Sequence, residues 1–143
     1  MDIWVIIAAF SIPSAITGFG FRHIHTCYNG TTTAGTGTYT TQTGKYHKVG
    51  KLVYFTLGLD WTAHTGTGAI RIGGLPYTSD GYHGCSVGLS NNISVNAGAV
   101  IKAYVIDAST TIIITQCVSS GAGINIPMDT SGTLIISGTY LTS

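Results

Sequence analysis

Over residues 51–61, apolar and polar positions alternate along the chain. Val53, Phe55, Leu57, Leu59 and Trp61 fall on one face, and Tyr54, Thr56, Gly58 and Asp60 on the other. A period of two is that of a β-strand with one buried side. Shorter runs rich in β-branched or aromatic residues follow at 68–72, 85–89, 100–106, 112–117 and 134–140. Turn-forming groups such as Gly73-Gly74, Ser79-Asp80-Gly81 and Asn91-Asn92 separate them, as expected of strands in an antiparallel fold. No stretch keeps apolar residues at helical spacing for three turns between a cap and a stop. The pattern therefore predicts an all-β protein, an antiparallel β-sandwich or jelly roll, because a parallel sheet would need intervening helices.

Two segments near the start depart from this pattern. Residues 29–44 (NGTTTAGTGTYTTQTG) are poor in hydrophobics and rich in Gly and Thr, which predicts a linker or an extended edge segment. Residues 1–15 (MDIWVIIAAFSIPSA) are strongly apolar. They lack the positive charge that precedes the core of a secretory signal, since Asp2 comes first and no Lys or Arg appears before Arg22. A membrane span needs about 20 apolar residues, and Ser11, Pro13, Ser14, Thr17 and Gly18 interrupt this run. The expected organisation is thus a short hydrophobic N-terminal arm, a linker and a β-domain. Ile3, Trp4, Val5, Ile6, Ile7, Phe10, Phe19 and Phe21 are the candidate attachment residues of the arm.

Composition sharpens this picture. Of the 143 residues, 8% are charged and 44% hydrophobic, against roughly 25% charged in an ordinary soluble domain. So little charge leaves Thr, Ser and Asn to solvate the surface and favours burying apolar surface between subunits. The net charge is +1, and the six cations are scattered apart from a loose Lys45, Lys48, Lys51 group. A nucleic-acid ligand is not expected, because phosphate neutralisation needs a basic stripe. The acids are five aspartates, Asp2, Asp60, Asp80, Asp107 and Asp129, with no glutamate, which leaves little material for paired-carboxylate catalysis. Cys27, Cys85 and Cys117 are an odd number, so a complete intrachain disulfide framework is excluded, which leaves room for at most one bridged pair.

The candidate chemistry is correspondingly thin. His23 and His25 share one face of an extended segment, and three such pairs around a trimer axis would supply six nitrogens to a metal; two per chain are too few without that symmetry. His83 and Cys85 share a face but have no third ligand at a useful spacing. No Gly-x-Ser-x-Gly elbow is present. The Gly66-Thr67-Gly68 turn lacks the Gly-Lys-Ser/Thr ending of a phosphate loop and reads as a hairpin. Tyr77, Tyr82 and Tyr104, with Asn91 and Asn92, are the candidate glycan surface, aromatic faces stacking on sugar rings while amides bond hydroxyls. No catalytic residue and no cofactor are expected.

The run 37–55 (GTYTTQTGKYHKVGKLVYF), the turn 65–68, the segment 72–78 (IGGLPYT) and the closing 135–140 (IISGTY) together resemble a β-sandwich domain found in bacteriophage virion proteins. The resemblance covers residues 35–143 and not the arm, and so implies an arm and linker over 1–34 and a β-domain over 35–143. It implies a non-enzymatic structural domain of the tail-fibre or capsid-decoration kind, often homotrimeric, on the exterior of a virion assembled in the host cytoplasm. With few residues ahead of the domain, the expected role is capsid decoration or cementing, the arm gripping the major capsid protein or another virion protein. A tail-fibre or spike tip that binds host-surface polysaccharide is the alternative. No membrane partner is expected.

Overall fold

A computed structural model describes residues 21–119 and 121–143. Ten strands form among the described residues: β1 (Arg22–His23), β2 (Cys27–Gly30), β3 (Gly37–Val49), β4 (Leu52–His64), β5 (Ile70–Gly73), β6 (His83–Asn91), β7 (Val100–Val105), β8 (Ile112–Cys117), β9 (Ile124–Asn125) and β10 (Gly132–Leu141). There is no helix among the described residues. Every pairing is antiparallel, in the order β1-β3-β4-β10-β6-β7-β8-β5-β2 with β9 on β8. The all-β antiparallel class predicted from the sequence is what forms, and its hydrogen bonds run as one continuous path.

That path cannot be flat. Eight interstrand spacings of about 4.8 Å would put its two ends roughly 38 Å apart. Yet the end strands β1 and β2 are separated in sequence only by Ile24, His25 and Thr26. Four Cα steps span about 13 Å at most. The sheet must therefore curl until its edges approach each other, and its concave side becomes the core.

The alternation in β4 sets which side that is. Val53, Phe55, Leu57, Leu59 and Trp61 are all buried, as their period predicts. β10 lies against β4 over its whole length, from Gly132 opposite Trp61 to Leu141 opposite Leu52, and adds Leu134, Ile136 and Tyr140 to the core. From the far side of the curl come Ile70, Ile72, Val105, Ile112, Ile114 and Ile126. Gly138 lies where β10 crosses this core, and a Cβ there would meet Cys85 Sγ and the Phe55 ring at 3.1 Å, close enough that both would have to shift by a few tenths of an ångström. All three cysteines are free thiols.

Three segments sit differently from the sequence reading. Residues 37–44, within the stretch assigned to a linker or extended edge, belong to the 13-residue strand β3. Residues 22–30, assigned to the arm and linker, contribute β1 and β2 and bury Ile24, Thr26 and Tyr28. The turn around Gly66 is not a hairpin: β4 and β5 do not pair, and the chain crosses there from one flank of the curl to the other. Residues 65–67 bond instead to 33–36, through a Thr33–Thr67 bridge and a Thr65 N–H to Thr36 carbonyl bond.

The two faces of β4 and β10 predict opposite mutational costs. Leu57→Ala should lower unfolding stability by about 2–5 kcal/mol, the usual cost of a buried Leu truncation. Thr139→Ala, on the outward face of the neighbouring strand, should change it by no more than about 0.5 kcal/mol. Urea titrations of both variants check this contrast.

Candidate functional site

The most specific side-chain arrangement lies where the two edges of the sheet approach. Residues 22–28 run antiparallel beside β3, starting as a true ladder with Arg22 opposite Tyr46 and His23 opposite Lys45. The Ile24 N–H still reaches the Gly44 carbonyl at 2.8 Å. Beyond that point the segment diverges toward β5, and side chains replace the ladder. Gln42 donates its amide to the Thr26 carbonyl. The Tyr28 N–H donates to the Tyr39 hydroxyl at 3.4 Å. The Tyr28 carbonyl, in turn, lies 2.8 Å from His64 Nε2. Strand β2 is paired on its other side with β5, so these bonds satisfy groups that an open edge would leave exposed.

His64 is oriented from both ring nitrogens. Gly66 N–H donates to Nδ1 at 2.9 Å, which makes Nδ1 the acceptor and leaves Nε2 to carry the proton donated to Tyr28. The ring is buried and meets the Tyr28 ring edge-on at 5.1 Å. Tyr28 also lies on Trp61, ring centres 4.1 Å apart, and Trp61 donates its indole N–H to the Asp129 carbonyl. Gly44 has no room for a side chain, because a Cβ would meet Ile24 at 2.8 Å. This constellation holds backbone to backbone and presents no reactive group to solvent.

The residues predicted from sequence are distributed as follows. Ile3, Trp4, Val5, Ile6, Ile7, Phe10 and Phe19 lie outside the described residues. Phe21 is exposed at the rim of β1, edge-on to His47 at 6.2 Å. His23 and His25 are both exposed on either side of buried Ile24, so they do share a face. They line a depression of about 480 Å³ with Gln42, Thr43, Gly44 and Lys45. Among the described residues, no three His, Cys, Asp or Glu side chains converge as a metal site. A shallower hollow of about 270 Å³ adjoins it on the sheet's outer face, where Gly58 leaves a gap between Thr43, Lys45, Thr56 and Ile135.

The five candidate glycan residues do not come together. Tyr82 and Tyr104 pair, with ring centres 6.3 Å apart, and Tyr82 is well exposed. Asn91 and Asn92 lie at the other end of β6, roughly 30 Å along the strand at 3.3 Å per residue. Tyr77 belongs to a separate group, packed edge-on against Tyr46 with the Lys48 ammonium 4.6 Å from its ring centre. The Tyr77 N–H donates to the Tyr140 hydroxyl, and His83 sits 3.6 Å from Asp80. Gln42, Tyr39 and His64 were not singled out by sequence reasoning. Their only local signal is the alternation Ile24-His25-Thr26-Cys27-Tyr28, inward at Ile24, Thr26 and Tyr28, which marks the strand-like segment that they hold.

No protein-family model matches the chain, and no curated protein matches it significantly. Among solved structures, the Dettilon tailspike protein is similar in fold, with a TM-score of 0.68 at 14% identity over 85% of this chain. The match occupies 23% of that chain, so this protein spans about a quarter of the tailspike's length. At this identity the likeness is one of fold: the curled antiparallel sheet described above is shared with a module of a phage tailspike.

Burial of acidic groups in this core makes stability depend on alkaline pH. Desolvation raises the Tyr140 phenol to about 12 and the Cys85 thiol to about 11, and pushes Tyr28 up as well. A raised folded-state value means that the unfolded chain loses its proton first, so stability is intact below the unfolded values of 9.0 for the thiol and 10.0 for the phenol. It then falls as pH rises toward 12. Unfolding midpoints measured from pH 7 to 12 should be flat to about pH 9 and decline beyond, with a shallower decline in Tyr140→Phe.

Proposed function

We propose that this chain is a non-enzymatic structural module of a bacteriophage virion, carried on the particle exterior as part of a tail spike or fibre. The observation that carries the reading is the fold shared with the Dettilon tailspike protein over 85% of the chain. The composition supports it, because a surface dominated by Thr, Ser, Asn and Gly with 8% charge suits a rigid scaffold better than an acid–base site. The role of the module is to hold a fixed shape at the particle surface. In this reading it assembles as a homotrimer, and the exposed Tyr82–Tyr104 pair is the aromatic surface offered to a host polysaccharide.

Capsid decoration is the second reading. It is favoured by the run of apolar side chains at Ile3, Trp4, Val5, Ile6, Ile7 and Phe10, which would grip a major capsid protein. The two readings place the protein on different parts of one particle. Antibodies to this chain, seen by immunogold electron microscopy, should decorate tail tips. Label spread over capsid faces would replace the tail reading with the decoration reading, and the absence of label from intact particles would contradict both.

A further inference from the structure

The outward face of the sheet carries a groove whose polar groups the fold leaves unused. The depression beside β1 and the hollow at Gly58 share Thr43, Gly44 and Lys45 as lining, so the two are one feature. The strand register lays it out in two adjacent rows. His23 lies opposite Lys45, and Lys45 opposite Thr56. Thr43 lies opposite Gly58, Gly58 opposite Ile135, and Ile135 opposite Leu89. The groove thus crosses β1, β3, β4, β10 and β6, and four interstrand spacings of about 4.8 Å make it roughly 19 Å long. Its floor is low because Gly58 has no side chain; a Cβ there would meet only Thr43 Oγ1, at 3.2 Å.

The lining changes character along this length. At the β1 end stand His23, His25 and Lys45, all exposed and, among the described residues, without a side-chain hydrogen bond or ion pair. Thr56 follows midway, and the exposed side chains of Ile135 and Leu89 form an apolar far end. The charge is of one sign: residues 21–59 hold Arg22, Lys45, Lys48 and Lys51 with no Asp or Glu. The acid on β4, Asp60, lies one row beyond, between Thr41 and Thr133. A Lys ammonium receives a carboxylate, imidazoles and hydroxyls both donate to and accept from sugar hydroxyls, and apolar side chains take the C–H face of a ring. We propose that this groove is a binding site for an acidic sugar chain whose charge is carried by carboxylates, with a carboxylate on Lys45 and a ring over Gly58 and Ile135. A long open trough suits a chain that enters at one end and leaves at the other. One Lys and two imidazoles fall short of the basic stripe that a nucleic acid needs. The Tyr82–Tyr104 pair lies at the opposite end of β6 from Leu89. The groove is therefore a separate site, and its chemistry does not depend on where the protein sits on a virion.

The test is calorimetric titration of the full chain with a galacturonic acid tetramer, beside maltotetraose as the neutral chain and inorganic phosphate as the point anion. The expected result is saturable binding of the acidic tetramer, with both controls weaker by at least about tenfold. Lys45→Gln removes the charge, and Gly58→Thr fills the floor without altering charge; each should weaken the tetramer by at least about fivefold. Lys51→Gln changes a cation outside the groove and should leave the affinity within about twofold. Lys45 is exposed, so its variant should keep the β-sheet circular dichroism of the unmodified protein. No saturable binding of the tetramer, or unchanged affinity in Lys45→Gln, would overturn the proposal. Equal binding of maltotetraose or of phosphate would overturn it too, by showing that the groove reads no carboxylate or no sugar chain. So would an equal loss in Lys51→Gln, the sign of diffuse attraction and not of a site.

Discussion

The architecture depends on one constraint: two strands only three residues apart in sequence occupy opposite ends of the sheet path. Everything else in the fold accommodates that closure. The sheet curls because its edges are tied by Ile24, His25 and Thr26, and curling turns the inward faces of β4, β10, β5, β7 and β8 onto a single core. The closure is not a continuous ladder. It begins as backbone pairing at Arg22 and His23 and is completed by Gln42, Tyr39 and His64, which meet the polar groups that the diverging strand leaves behind. A flat sheet of the same strands would expose two edges, each a template for unwanted pairing.

This arrangement also explains why chemistry is sparse where structure is dense. The histidine with the most defined surroundings, His64, spends both ring nitrogens on backbone groups of the closure. Asp129 spends its carboxylate on Ser94, one oxygen taking the backbone N–H and the other the hydroxyl, each at 2.7 Å. Polar side chains with good geometry here fasten loops and edges. The curled sheet that these contacts fasten is shared in fold with a module of the Dettilon tailspike protein.

Much of the fold was legible in the sequence, but unevenly. β4 announced both its existence and its buried face, because five large side chains at period two admit few other readings. β8 was legible to the residue, 112–117, through its run of isoleucines. β3 was harder to read. Over residues 37–44 its positions carry Thr, Gly, Tyr and Gln, since its partner across the edge is a thin strand of chain held by side-chain hydrogen bonds. β1 and β2 are two and four residues long, too short for periodicity to register. The bonding of Gln42 to Thr26 and of His64 to Tyr28 joins residues 16 and 36 positions apart, and no local pattern encodes such a meeting. The proposed aromatic surface failed to converge for a similar reason: sequence proximity to a strand does not say at which of its ends a loop emerges.

The most direct test of the closure is native-state hydrogen exchange at the backbone amides of Ile24, Tyr28 and Gly30. If residues 22–30 lock the curled sheet, these amides open only with the core, and their protection should match that of Ile70 and Leu134 within about tenfold. Exchange faster by several orders of magnitude, with the core still protected, would show that the segment detaches on its own and that the sheet does not depend on it.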